Sequence, residues 1–514
     1  MKREEALVDL RTTLDWVKEE VKVIDVEVDP ELEAAAICKA LDEGPAFVFN
    51  KVKGYPHARY TCNLLSRWDR FAKIVGAKDH KDIKFKLLEA MKNPIPPREV
   101  QTAPCQEIVI PKEEFDPLAM LPLPKWTEDD GGRFFGSGVH YISGKYAAPG
   151  SQLAHYRMSF REKTRASINM VPGGHGDLIA TKFKNEKIPC TVNICPPIGV
   201  SIMAIGTGIP SILPFGIDEL GIAGGIHGAP IDIVKAKTVD AYAIANSEWV
   251  IEGYINSNDR VWETEEAERL GVQGVAPFHP EWARYLGRAY RATRSFEVTA
   301  LTRRKDKPLY YIPLIANDSV NQIIEFNQAC WMELGERILP GFVVDCNSFQ
   351  GLTCWSGVVF QVRKQRRSDE GMQRNLIAAA LGAVRGMRMV IVVDEDINIY
   401  SPEDLLFAIN TRVNPETDII RGVGARGQSF QPAERHFAGA QAGLTRPTSV
   451  FEGGIGYDAT VPLGGNRRPD GEFYRGHYAV DKIDLRKWFT EQEIKDIKAG
   501  QSEYVRYLGE AGLS

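Results

Sequence analysis

No CxxC pair and no other metal-type spacing occurs among the eight cysteines, at positions 38, 62, 105, 190, 195, 330, 346 and 354. That excludes zinc fingers, zinc ribbons and thioredoxin-like redox motifs. The plain expectation is a reduced chain with buried thiols. The opening segment MKREEALVDLRTTLDW lacks the apolar core, roughly 7–15 residues, of a secretory signal, so the expected location is the cytoplasm. Positive charge is not in excess: 63 Lys and Arg against 68 Asp and Glu leave a net −5, which disfavours non-specific nucleic-acid binding. One long uncharged run exists, Ile188 to Ile217, but Pro189, Pro196, Pro197, Pro210 and Pro214 interrupt it. It cannot be a continuous spanning helix, and it reads as buried strands and turns. There is no low-complexity tract and no internal repeat.

What is present is a soluble globular composition, 44% hydrophobic and 25% charged over 514 residues, long enough for about two to four domains. Helix-like and strand-like patterns alternate through the first hundred residues: ALVDLRTTLDWVKEE, then VKVIDVEV, then a helix opened by Asp29-Pro30, then PAFVFNKV. The Pro-rich segment 93–104 marks the end of this α/β region, set at 1–114. From 115 to 318, short β-rich runs such as VHYISGKY, FEVTALTRR and LYYIPLI, punctuated by Gly and Pro, predict a barrel or compact sheet. From 319 to 488, α/β alternation returns: DEGMQRNLIAAALGAVRG is a helix and MRMVIVVDEDINIY a parallel strand buried on both faces. SPEDLLFAINTRV starts a helix with Ser401 as cap and Pro402 first. The terminal segment, 489–514, is a charged helix with the box Thr490–Glu493, able to cap its own domain or cross to another subunit. The fold class is α/β and multidomain.

Several features are candidates for chemistry. Tyr156-Arg157 lies in a strand-like segment, and His175 follows 18 residues later beside Gly173 and Gly174; glycine lets backbone approach a ligand. Asp218-Glu219 precedes a Gly-rich segment and has the oxygen chemistry of a Mg²⁺ or Mn²⁺ site, although a helix or turn start is the simpler reading. Glu248 and Glu252 in SEWVIEGY read as structural groups at a strand edge. The acids of VVDEDINI are read as the solvated mouth of a strand. GVAPFHPEW, residues 274–282, reads as a turn holding His279 and Glu281 around a proline.

Taken together, the stretches DLRTTLDWVKEE, GPAFVFNKVKG, VIVVDEDINIYSPEDLLFAINTRVNP, GIGYDATVP and YAVDKIDLRKWF resemble the UbiD family of decarboxylases, over nearly the whole chain. The resemblance implies an N-terminal α/β region, a central split-barrel flavin domain and a C-terminal α/β domain that oligomerises. It implies reversible, non-oxidative decarboxylation of an aromatic acid to product and CO₂. The implied cofactor is prenylated FMN, with its phosphate held through a divalent metal, usually Mn²⁺, and often K⁺. A flavin prenyltransferase is then the cofactor's supplier, and homodimers or homohexamers the expected assembly; neither nucleic acid nor membrane is a partner.

By position, the resemblance makes Arg157 the active-site arginine and assigns Gln152, His175 and Glu219 to the metal–phosphate site. Gln152 stands where the family usually has Asn. Ala154, His155, Tyr156, Gly174 and Arg388 join the cofactor-binding set, Arg388 standing where Lys is common. The family motif resembles E-G-P-F-x-(E/D). Here Val275 occupies the first glutamate's place, and the final acid, Glu281, is reached with one inserted residue near His279. Arg157 is thus expected to hold the substrate carboxylate, bidentately where geometry allows. Glu281 is expected to give a proton to carbon, and His279 to replace the lost glutamate's hydrogen bond or contact substrate. Substrate classes compatible with a less anionic pocket include a hydroxybenzoate-type acid and an aromatic acyl-CoA such as phthaloyl-CoA. Two alternatives stand beside this: a UbiD-like subunit of a larger carboxylase with altered or lost activity, and a plain FMN oxidoreductase.

Overall fold

A computed structural model describes residues 1–206, 212–271, 274, 276–281, 285–289, 294–312, 317–354, 356–384, 386–426, 451–463, 479, 482–502 and 505. The N-terminal region builds a four-stranded mixed sheet from Val21–Ile24, Ala46–Phe49, Arg59–Cys62 and Leu309–Tyr311, in that order. The helix expected after Asp29-Pro30 begins only at Glu33 and runs to Ala40. Its Cys38 is disulfide-bonded to Cys62, which corrects the all-thiol expectation. No motif announces this pair. Packing brings the helix against the end of a strand, with Cα atoms 6.5 Å apart, inside bridging range. The other six cysteines are free and buried.

The central sheet has eight strands. Along its main path run Gln152–His155, Gly138–Ile142, Lys187–Ile194, Trp249–Asn256, Arg294–Arg303, Arg165–Ile168 and Met158–Glu162, with Ile108–Pro111 paired beside Arg294–Arg303. The two ends of this path are consecutive in the chain: only Tyr156 and Arg157 separate His155 from Met158. Three Cα steps reach at most about 11 Å, so the sheet must curl until its edges meet. The result is a split barrel, and Tyr156-Arg157 is its seam. Glu252 lies on Trp249–Asn256, which is paired on both sides; this is a central strand rather than the expected edge. Both glutamates are structural as expected. Glu248 takes a fork from Arg11 at 2.8 and 2.7 Å, and Glu252 accepts from the backbone of Lys237 and Thr238.

The run from Ile188 is not all strand and turn. Ile198–Ile205 is a buried helix starting directly after Pro197, because proline is compatible with a helix start and only interrupts an interior. No helix among the described residues is long and apolar enough to cross a membrane.

Helix Asn317–Ile338, about 33 Å long at 1.5 Å per residue, leads out of the barrel region. It packs on helices Ile83–Lys92 and Ile198–Ile205 and on strand Val343–Asn347. Buried Asp318 near its start accepts from the backbone N–H groups of Leu64 and Leu65 at 2.9 and 2.6 Å. Burial pushes that carboxyl up to about 6. Beyond the helix lies a five-stranded sheet ordered Val343–Asn347, Gly357–Val362, Met389–Asp394, Phe451–Ala459, Ile419–Arg426. Met389–Asp394 is its central, parallel strand. Its acids go to ion pairs at the rim: Asp394 and Asp396 to Arg412, Glu395 to Arg363. Ser401 caps helix Pro402–Arg412 through the Asp404 N–H. The helix Glu491–Ala499 carries the expected Thr490–Glu493 box and buries no residue of its own.

Candidate active site

Two clusters of buried polar groups flank Tyr156. The first joins the start of strand Gln152–His155 to the starts of two helices. Ser151 donates to Asp218 Oδ1 at 2.6 Å and accepts from the Leu220 N–H at 2.8 Å. That clasp sets helix Glu219–His227 end-on against the strand. The acidic pair therefore splits: Asp218 is used by the clasp, and Glu219 points inward, fully buried. Gly221, Gly224 and Gly225 after it are helical, and Gly228 ends the helix in a left-handed conformation. Glu219 Oε2 accepts from the Leu153 N–H at 2.5 Å, and its Oε1 lies 2.9 Å from His175 Nδ1. Burial raises the Glu219 carboxyl, with His175 pulling it back.

Gln152 donates through Nε2 to the Tyr156 hydroxyl at 3.2 Å. Its Oε1, and Nε2 of His175, are buried and meet no hydrogen-bond partner. Such orphaned atoms are rare. With Nδ1–H committed to Glu219, His175 Nε2 presents a lone pair, the arrangement of a metal-ligating histidine oriented by a carboxylate. An amide oxygen, an imidazole nitrogen and a carboxylate whose burial a cation would offset fit a divalent ion. Among the described residues no cluster of three His, Cys, Asp or Glu side chains forms a metal site; this set has two such groups and the Gln152 amide. Helix His175–Lys182 begins after Gly174. A Cβ on Gly176 would lie 2.1 Å from the Tyr156 hydroxyl oxygen, so only glycine lets the phenol sit here.

Ala154 is buried on the same strand, and His155 Nε2 lies 3.4 Å from Ser201 Oγ. Burial lowers His155 to about 4. Arg388 directly precedes strand Met389–Asp394 of the C-terminal sheet: its backbone bonds Ser356 and Ile455 there. Val275, the position of the lost family glutamate, lies outside the described residues.

The second cluster surrounds Arg157. The hairpin of Pro277–Pro280 with Leu286–Arg288 brings up His279 and Glu281. Arg157 Nη1 donates to His279 Nε2 at 2.6 Å and to Glu281 Oε1 at 2.8 Å. His279 Nδ1 lies 2.7 Å from the Pro280 carbonyl. A carbonyl only accepts, so Nδ1 carries the hydrogen and Nε2 receives from Arg157. Burial, reinforced by Arg157, lowers His279 to about 3, so the ring is neutral. Burial raises the Glu281 carboxyl against the opposing pull of Arg157. The guanidinium also lies 4.9 Å from the Phe278 ring centroid. Phe134 stands 5.0 Å from the His279 ring and Trp126 4.5 Å from Phe134, giving an aromatic wall.

Sequence reasoning passed over the residue that holds Arg157 most fully. Glu263, entirely buried, receives Arg157 Nε at 2.7 Å and Nη2 at 2.9 Å. Asn169 Nδ2 donates to the same carboxylate at 3.0 Å. Arg157 Nη2 further reaches the Arg288 carbonyl at 3.3 Å. A guanidinium has five N–H donors, and here all five have acceptors within the protein. A substrate carboxylate can therefore reach Arg157 only by displacing one of them, which departs from the expected bidentate clamp. The signal for Glu263 was faint: it directly precedes Thr264, whose side chain caps helix Glu265–Leu270, among other glutamates in the sequence.

Three family models match in sequence order. They are the 3-octaprenyl-4-hydroxybenzoate carboxy-lyase N-terminal domain over residues 14–91, the Rift-related domain over 98–316 and the C-terminal domain over 322–459. The chain is similar to gallate decarboxylase of Lactiplantibacillus plantarum, 31% identical over 447 residues, covering 83% of this chain and 89% of that protein. Among solved structures it resembles the 3,4-dihydroxybenzoic acid decarboxylase of Enterobacter cloacae, with TM-score 0.77 and 25% identity over 95% of this chain and 99% of that one. It also resembles an evolved dimeric form of a UbiD-class enzyme from Pelotomaculum thermopropionicum in complex with prFMN. There the TM-score is 0.74 and the identity 26%, over 94% of this chain and all of that one (100%).

Proposed function

The chain belongs to the UbiD family of carboxy-lyases, and on that footing we propose that it decarboxylates an aromatic acid reversibly and non-oxidatively with prenylated FMN in its barrel. The observation that carries this reading is the buried Arg157–His279–Glu281 cluster at the seam, one residue from the Tyr156 hydroxyl that binds Gln152. The names of the relatives, gallate and 3,4-dihydroxybenzoic acid decarboxylases, favour a hydroxylated benzoic acid; an aromatic acyl-CoA thioester is the second class to test.

Gln152 Oε1, His175 Nε2 and Glu219 are the groups that would hold Mn²⁺ or another divalent ion against the cofactor phosphate. K⁺ is assigned no residues. When bound, the prenylated flavin supplies an electron sink for the pair left on carbon as CO₂ departs. Glu281 supplies the proton that carbon then takes. Burial favours its protonated form, and its place beside Arg157 keeps the carboxyl oriented. His279 is a poor proton donor in this tautomer, because its single N–H is committed to Pro280; it acts by fixing Arg157. The walls formed by Trp126, Phe134 and Phe278 exclude water and suit a planar ring. A homodimer or homohexamer is in keeping with Trp488, Phe489 and Ile497, which are exposed along the C-terminal helix and its approach.

Co-expression with and without a flavin prenyltransferase tests the reading. The extracted cofactor is identified by absorbance and mass, and CO₂ release is measured over hydroxylated benzoic acids and aromatic CoA thioesters. CO₂ release only after co-expression supports the proposal. A chain without flavin points to an inactive subunit, and unmodified FMN supporting hydride transfer points to an oxidoreductase; either outcome overturns it.

A further inference from the structure

Glu263 is assigned no role by the family motif. It stands 12 residues before Val275, the position of the lost family glutamate, just ahead of the short capped helix Glu265–Leu270. Its carboxylate is wholly buried and takes both Nε and Nη2 of Arg157 in a fork, with Asn169 as third partner. The opposite edge of the same guanidinium donates to Glu281 and His279. Arg157 is thus shared between two carboxyl groups, one on each side.

We propose that Glu263 is a positioning residue: by neutralising Arg157 it fixes the guanidinium and leaves Glu281 its proton. The physical reason is charge balance. With His279 neutral, Arg157 and Glu263 form a pair of zero net charge, so ionising Glu281 would bury an uncompensated negative charge. Without Glu263, Arg157 would face Glu281 alone, and the ionised form would be favoured. Among the described residues, the groups facing Glu281 are few. Arg157 reaches it from the seam, and His279 Nε2 lies 3.5 Å away on its own hairpin strand. From the paired strand, the Tyr285 carbonyl accepts from the Glu281 N–H at 2.8 Å, and Gly287 leaves the space its side chain fills. Arg288 of that strand contributes a carbonyl to Arg157. Glu263, with Asn169 behind it, completes the set. Arg157 and Glu263 bear the opposite charges that the fork brings together here.

This inference rests on the reading of Glu281 as proton donor, and its test is separate from turnover. The Glu281 carboxyl is titrated through its infrared C=O band in full-length protein, flavin-free and flavin-loaded, with E281Q as the blank that identifies the band. In E263Q the midpoint is expected to fall by about one pH unit or more, a tenfold change in acid dissociation. The alkaline limb of the turnover profile moves in the same direction. Should E263Q fail to fold by circular dichroism, R157Q/E263Q is compared with R157Q. The double variant removes the pair together, and its midpoint is expected below that of R157Q, which keeps the Glu263 charge. An unmoved midpoint in either folded comparison overturns the proposal. A shifted midpoint in a protein that releases no CO₂ leaves the role of Glu263 intact and counts instead against the proposed reaction.

Discussion

Glu263 grips Arg157 with both carboxylate oxygens, at 2.7 and 2.9 Å, across 106 residues of sequence. The pair sits at the seam where the barrel's first and last strands meet, so the geometry of the site and the closure of the fold depend on the same two-residue link.

The first expectation concerns Glu281. Replacing it by Gln keeps the shape and removes the transferable proton. Product formation should fall by about 10²–10⁴-fold, the range of a general acid, while flavin absorbance of the loaded protein stays unchanged. Normal turnover by E281Q would remove Glu281 from the mechanism.

Wild-type activity should hold on the acid side and fall as pH rises through the Glu281 midpoint, which burial places above the ordinary carboxyl value. The sign follows from need: the protonated acid is the active form. A turnover profile whose alkaline limb is indifferent to E281D would contradict this.

Stability has the opposite pH dependence on its acid side. Burial lowers His140 and His279 to about 3 and His155 to about 4. Unfolded, each titrates near 6.5 and binds a proton the folded chain refuses. Stability is therefore fully present above about pH 6.5 and is lost progressively as pH falls toward 3. Glu281, with its raised carboxyl, works against this trend, since its ionisation disfavours the fold as pH rises. Scanning calorimetry between pH 7 and 4 should show a falling Tm.

Cofactor retention depends on the other cluster. H175A or E219Q should weaken flavin retention by about 10- to 100-fold, the usual penalty for damaging a metal site, and prolonged dialysis against chelator should do the same to wild type. Equilibrium dialysis of FMN reads both; retention unchanged by either treatment would remove Gln152, His175 and Glu219 from the cofactor site.

Gly176→Ala should lower stability by about 1–3 kcal/mol, the usual range for overpacking, because its Cβ would meet the Tyr156 hydroxyl. Adding Y156F should recover part of the loss. A fully additive double variant in thermal melts would show that the contact is not what matters.

Much of this was legible beforehand, for local reasons. Helix Pro402–Arg412 announces itself through Ser401 and Pro402, and strand Met389–Asp394 through an unbroken apolar run, because caps and periodicity are properties of neighbouring residues. The resemblance carried Arg157, His175, Glu219 and Glu281 to candidate status. What failed were pairings with no local signature: the Cys38–Cys62 bond, the central place of Trp249–Asn256, and Glu263 hidden in an acidic run. The expected carboxylate clamp on Arg157 also changed, since a donor's availability depends on every group around it.

The sequence by itself determined the capped and periodic elements such as helix Pro402–Arg412 and strand Met389–Asp394, the balance of charge and the identity of the family, since these depend on residue type and order. Only the tertiary structure decided that Arg157 has no spare donor, that His279 is neutral with its hydrogen on Nδ1, and that a glutamate outside the motif balances the site. Burial and the distances between remote side chains set protonation and pairing, and neither is written in the spacing of residues along the chain.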